Sequence, residues 1–527
     1  MSRCRGTGTS THSSGAAPPS TYSGTFCDSS ANRADGSPHT EVGSAMAHTV
    51  NEKNSGTSEV RIIGAPTGRW ADKLLARRPL RPAELAAAPA GSALKPVTGD
   101  RGLPFVGMML DYMQYGPAFQ YELHRRHGDV AWFYGIGLKF LSVAGSDAVQ
   151  AVLTNKDKAY ASGWGYIGPW FEGGLVMRDG DVHRRHRRMI QNAYTEQSLN
   201  SYQRPSATAI ERAVAAWPTG RTMRMLPAVR RLSMAASTEI FLSEPYQRDG
   251  ERIMRAIEAC EMAIMTSVRA PIPGSPWYRG MKARKWLQDC LAAAVPAARA
   301  REGADFFSIV CRATDQNGEG LTDAEIADHM ILTLLASGDT TVYTAAATIY
   351  FLGLYPQWQQ RAREESLARG DGPLDAAGMR GLGVLDLVIK ESMRLLPATP
   401  TQLRRTVHDT ELHGHFVPAG QLVSVCTGLN GLLPEYWSRP QTFDPERFAE
   451  PRREDRAHRA SWVPFGAGHH KCIGMDFGTM KVFTVLDAML REYEWTLPDG
   501  YDMSWRFRFP GGPSQGLPMT LTRREKQ

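Results

Sequence analysis

The chain has 527 residues, 42% of them hydrophobic, with 12 Trp, 17 Tyr and 18 Phe. That length and composition support a large buried core and exclude collagen, coiled-coil rods and small disulfide-stapled scaffolds. A net charge of +7, from 61 Lys+Arg against 54 Asp+Glu, is too thin and too dispersed for a nucleic-acid-binding chain.

Residues 1–60 are rich in Ser, Thr, Gly, Ala and Pro and poor in aliphatics. They cannot bury enough apolar surface to offset ordering entropy, so a disordered tail is expected. They carry no apolar h-region of a secretory signal, and Met46 is an alternative initiator. Residues 61–103, with a Pro/Ala-rich run, read as a linker and lead-in, and one folded unit without repeats is expected over 104–527. Seven cysteines with no C-x-x-C pair point to a reducing compartment, the cytoplasm.

Within that unit the predicted elements are mostly α with small β-sheets, an α+β architecture. Short strand patterns lie at 130–134, 140–143 and 412–425, the last broken by turn signals at His413-Gly414 and Ala419-Gly420. Helical periodicity covers 210–217, 252–267, 279–300, 323–354 and 383–396. Across 330–354 the only charge is Asp339, amid a polar knot of Ser337, Gly338, Thr340 and Thr341. Lipid would penalise that knot, so the segment reads as the central helix of a globular protein and not as a membrane span.

The strongest chemical signal is Phe465-Gly466-Ala467-Gly468-His469-His470-Lys471-Cys472-Ile473-Gly474, followed by an apolar helical pattern. Glycines let such a loop fold tightly against a flat partner, and a helix start favours thiolate over thiol at Cys472. A thiolate there is a metal ligand or a nucleophile; a zinc site of His469, His470 and Cys472 in an interaction protein is the alternative. Three further patterns read blandly by themselves. Glu391-Ser392-Met393-Arg394 is an i,i+3 ion pair, Ser337-Gly338-Asp339-Thr340 a helix start, and Asp181-Val182-His183-Arg184-Arg185-His186-Arg187-Arg188 a basic helix face.

Together, in this order, these motifs resemble the haem-thiolate enzymes of the cytochrome P-450 family, over about 104–521. The resemblance implies the single large fold of that family, with haem b between the central helix and the Cys-loop helix, and Cys472 as axial ligand of its iron. It places Phe465, Gly466, His470 and Gly474 around the cofactor and gives the haem propionates to His183, Arg187 and Arg404. Glu391 and Arg394, with Arg447 of Asp444-Pro445-Glu446-Arg447-Phe448, become a buried network supporting the Cys loop. Asp339 and Thr340 become the proton-delivering pair of a helix distorted mid-course to leave a groove for O2, with Ser337 where Gly is commoner. Asn430-Gly431-Leu432-Leu433-Pro434-Glu435-Tyr436-Trp437 departs from the family pattern at a structural corner.

The function so implied is insertion of one O2 oxygen into a lipophilic terpenoid, steroid, fatty acid or polyketide-like molecule of secondary metabolism. A non-oxygenase haem-thiolate protein, driven by peroxide or acting as an isomerase, is the nearest alternative. With no dinucleotide fingerprint in the chain, electrons are expected from a separate ferredoxin and ferredoxin reductase, docking on Arg184, Arg185, Arg188 and Lys471 of a monomer. The aromatic stretch 160–176, with Trp164, Tyr166, Trp170 and Phe171, is the expected substrate roof, and 271–277 the expected mobile entrance loop.

Overall fold

A computed structural model describes residues 82–242, 249–264, 266, 268–506, 512–513 and 515–525, the side chains of Gln114, Tyr166, Ile167 and Arg506 excepted. The expected tail at 1–60 lies outside the described residues.

The central helix runs Asp323–Leu354. It starts at a capping box in which Thr322 and Glu325 satisfy each other's backbone amides, and it is buried on nearly every face along its second half. Around it pack helices Met225–Phe241, Gly250–Ile264, Pro276–Arg299, Gly383–Leu395 and Met475–Glu492, the elements through which its apolar surface leaves water. The mostly-α reading holds, and the helix boundaries at 323–354 and 383–395 coincide with the sequence periodicity. The helix expected at 210–217 is the end of a longer one, Glu196–Ala215, whose polar first half carries no apolar stripe strong enough to see. Among the described residues no helix is long and apolar enough to cross a membrane.

The main sheet runs, in order, Pro82–Glu84, Thr98–Asp100, Val130–Gly135, Leu138–Val143, Leu422–Val425, Gln402–Thr406, Tyr160–Ser162. Its strands at 422–425 and 402–406 come from beyond the central helix; the first pairs with Leu138–Val143 and the second pairs with the first. The fold therefore starts earlier than expected. Pro82–Glu84, Lys95–Pro96 and Thr98–Asp100 lie in the stretch read as linker, yet all three are paired. Short edge strands tolerate Pro and small residues because pairing there is carried by backbone, not by side-chain pattern. The entrance-loop expectation is also corrected at its end, since Pro276 and Trp277 open the helix Pro276–Arg299 behind a Ser275 N-cap.

Candidate active site

A cavity of about 340 Å³ lies between the central helix and the Cys loop, a size that takes small-molecule ligands. Ala336, Ser337, Asp339, Thr340 and Thr341 line it from one side, and Phe465, His470, Cys472 and Gly474 from the other.

The loop owes its shape to two glycines. Gly466 and Gly468 have φ of 69° and 67°, and a Cβ on them would collide with the Gln402 amide and the Leu153 carbonyl respectively. Gly474 is different: at φ −90° it is simply the N-cap of Met475–Glu492. The Cys472 amide donates to the Phe465 carbonyl at 2.9 Å, and the Gly474 amide donates to the Cys472 sulfur. Cys472 is exposed, and it lines the cavity. Burial around the thiol pushes its pKa up, against the pull of the Gly474 amide, Arg187 and Lys471. The Gly474 amide, Arg187 and Lys471 each favour thiolate, and a coordinated metal cation would favour it further. Cys426 offers a contrast. It is fully buried, packs its sulfur 3.2 Å from Ser142 Oγ, has its thiol pushed up to about 12, and does not line the cavity.

One rim of the cavity carries basic side chains, of which the arginines are charged and His183, pulled down to about 4 by burial, is neutral. His183 and Arg187, one turn apart on the helix Gly180–Gln191, both face it. Arg404 does too, because strand alternation turns it inward and sends its neighbour Arg405 to the surface, where it donates to the Gly420 carbonyl. Arg404 is 4% exposed and burial pulls its guanidinium down to about 10. Its hydrogen bonds go to the Leu403 carbonyl and the Gln402 amide oxygen, and neither it nor the partly buried Arg187 forms an ion pair among the described residues. Cations so placed want anions. The two propionates of a haem supply them, so the residues present fit that cofactor.

His470 donates toward Asp179 at 3.1 Å and lies tilted against His183 with ring centroids 4.3 Å apart. Its partner Asp179 also accepts from the Ser162 amide and was not singled out in the sequence. His469, His470 and Cys472 form no zinc site; among the described residues no cluster of His, Cys, Asp and Glu could hold a metal ion.

The central helix runs unbroken through the position of the expected distortion. The helix is continuous, and the hydroxyls of Thr333, Thr340, Thr344 and Thr348 each bond the carbonyl four residues back, Thr340 Oγ1 reaching Ala336 at 2.7 Å. Asp339 is 6% exposed and is not open to solvent. Its carboxylate pairs with Arg230 at 2.7 Å and accepts from Tyr343 Oη at 3.4 Å. Arg230 also reaches Glu261 at 3.3 Å, so two buried carboxyls share one guanidinium. Burial raises both carboxyls above the ordinary carboxylate range, Glu261 also through the neighbouring Asp339. Sequence reasoning missed Arg230 and Glu261, which come from two other helices with no motif around them, and Tyr343, which lies one turn beyond Asp339 on the central helix.

The chain matches the sequence model described as "Cytochrome P450" over residues 97–512. This chain belongs to the cytochrome P450 family. It is 37% identical over 447 residues to a putative cytochrome P450 136 of Mycobacterium tuberculosis, covering 83% of this chain and 91% of the other. It is 27% identical over 467 residues to abscisic acid 8'-hydroxylase 1 of Oryza sativa subsp. japonica, covering 84% and 93%. Its fold superposes on the retinoic acid-bound cyanobacterial CYP120A1 with a TM-score of 0.73 at 22% identity, over 81% of this chain and 98% of that one. Cytochromes P450 are oxidoreductases, monooxygenases that hold haem iron through a Cys thiolate.

The P450's Cys loop is backed by a charged core. Glu391 binds Arg394 at 2.6 Å and Arg447 at 3.1 Å, with all three side chains at 0% exposure. Glu454, unforeseen from the sequence, closes the charge balance by pairing with Arg447 at 2.6 Å, and its carboxyl falls to about 2. The atypical corner joins this network: Gly431 accepts from Arg394, and Asn430 donates to the Ala460 carbonyl just ahead of the loop. In the roof, Trp164 and Phe171 line the cavity, whereas Trp170 is fully buried against Trp277 with ring centroids 5.0 Å apart, a core contact. The Tyr166 side chain lies outside the described residues.

Proposed function

We propose that Cys472 is the axial ligand of haem b, that His183, Arg187, Arg404 and His470 hold its propionate edge, and that the substrate lies beneath Trp164, Phe171, Leu175 and Val176. The observation that carries this reading is the cavity itself, which sets Cys472 opposite Asp339 and Thr340 with two unpaired arginines at its rim. When bound, the haem supplies O2 activation, so that with two electrons and two protons one oxygen enters a C–H bond and the other leaves as water.

The chain's own groups supply the rest. Asp339 and Glu261, both held by Arg230, form a buried acid pair from which Thr340 Oγ1, now donating to Ala336, draws a proton toward the cavity. The apolar lining favours a lipophilic substrate. Relatives named for retinoic acid and abscisic acid make lipophilic carboxylic acids the first compounds to try, ahead of terpenoids, steroids, fatty acids and polyketides. Electrons come from a separate ferredoxin and its reductase. The docking face shifts from the sequence expectation. Arg184 is paired with Asp181, and Arg185 with Asp315 and Glu319, which leaves exposed Lys471 beside Cys472, with Arg188, as the cations to meet an acidic partner.

The test is a titration of the haem-loaded protein with these compound classes, followed by product analysis. A high-spin shift of the Soret band and an oxygenated product dependent on ferredoxin and reductase are expected. No shift with any class, or product from peroxide alone, overturns the reading.

A further inference from the structure

The helix Met475–Glu492 carries a charge deep in the core. Lys481 is 1% exposed, and its side chain lies among the largest fully buried ones. Its Nζ donates to Ser237 Oγ at 2.6 Å, to the Ser233 carbonyl at 3.2 Å and to the Ser337 carbonyl at 3.4 Å, with the Phe477 ring 5.6 Å away. An ammonium has three N–H donors, and here three oxygens take them. Among the described residues no carboxylate pairs with it, and burial alone perturbs its pKa.

Burying an ammonium without a counter-ion is unfavourable, so this lysine is a poor device for stability. What it has is location. Its three acceptors come from two helices, Met225–Phe241 and the central helix, and the third is the carbonyl of Ser337, at the head of the turn that contains Asp339, Thr340 and Thr341. A helical carbonyl already accepts the amide four residues on, and the second lone pair of Ser337 goes to Lys481. The Ser337 hydroxyl lies 3.5 Å from Ser237 Oγ, so the same serine of Met225–Phe241 meets both the lysine and the turn. Ser337, Thr340 and Thr341 line the cavity, whereas Lys481 stands behind them, out of it.

We propose that Lys481 is a positioning residue that clamps the Ser337–Thr341 turn of the central helix to the helix Met225–Phe241 and so fixes where Thr340 meets the cavity. The inference rests on the reading of Asp339 and Thr340 given above, but the clamp itself can be examined without it.

The variant is Lys481→Met in the haem-loaded enzyme, of similar length and without donors; Ser237→Ala, which removes one acceptor, is the second. Two quantities are measured: hydrogen exchange of peptides spanning residues 334–344, and product formed per reduced nicotinamide consumed. Haem loading and the Soret band of the reduced carbon monoxide complex are expected to match the parent. Exchange across 337–341 is expected to speed up in both variants, with product yield about tenfold lower in Lys481→Met, because misplacement near the reacting atoms is costly. Unchanged exchange in both variants overturns the clamp. Faster exchange with unchanged yield sustains the clamp and removes Thr340 from the proton route.

Discussion

The carboxylate of Asp339 lies 2.7 Å from the guanidinium of Arg230, and Arg230 is the more exposed of the two, at 29% against 9% for their side chains. The acid on the central helix therefore has a partly exposed cation on one side and the cavity on the other, and that cation is shared with Glu261. Removing Arg230 leaves two buried carboxyls facing each other with nothing to offset them. Arg230→Leu is expected to lower product formation by about a hundredfold, in the range of lost acid–base assistance, with haem content unchanged. The basic-side fall of the pH–rate profile should move to higher pH, since both proton-donating carboxyls, already raised, lose the cation that lowers them. Arg230→Lys restores part of the rate. A profile identical to the parent would show that Asp339 delivers no proton.

Cys472 and Cys426 make a paired test of which sulfur holds the iron. Cys472→Ser is expected to abolish the thiolate-type Soret band of the reduced carbon monoxide complex. Cys426→Ser is expected to keep it and to cost about 1 kcal/mol of stability, because the hydroxyl exchanges one buried hydrogen bond to Ser142 for another in a site shaped for sulfur. The reverse outcome would transfer the ligand role to the sheet.

Glu391 is the hub of the charged core, binding both Arg394 and Arg447. Glu391→Gln leaves the buried Arg394 guanidinium without its carboxylate while Arg447 keeps Glu454, and a loss of about 3–5 kcal/mol is expected in reversible denaturant unfolding. Haem affinity should fall with it, since Asn430 and Gly431 tie the same cluster to the approach of the Cys loop.

Lys481 predicts a pH dependence of stability. Burial pulls its pKa from 10.5 down to about 7, so between those values the unfolded chain binds more protons than the folded one. Stability from this group therefore rises with pH from about 7 to 10.5, by at most about 1.4 kcal/mol per unit, and is lowest below 7. The difference between parent and Lys481→Met in thermal unfolding should shrink as pH climbs through that window. His329 acts at the acid end. Burial pulls it down to about 3, so its contribution is complete above 6.5 and disappears as pH falls toward 3.

What the sequence determined by itself is what depends on local spacing: a helix-rich P450, the loop ending in Cys472, the Glu391–Arg394 pair one helical turn apart, and His183 with Arg187 on one face of a helix. Periodicity and glycine placement are written residue by residue. Tertiary structure decided what depends on neighbours distant along the chain. Short edge strands at 82–100 declare themselves only through partners at 130–135 and 415–417. The choice between Arg404 and Arg405 is made by which face of a strand the cavity lies on. Arg230, Glu261 and Lys481 acquire meaning because separate helices bring them to one turn of the central helix, where low polarity makes each unpaired charge expensive and each pairing specific.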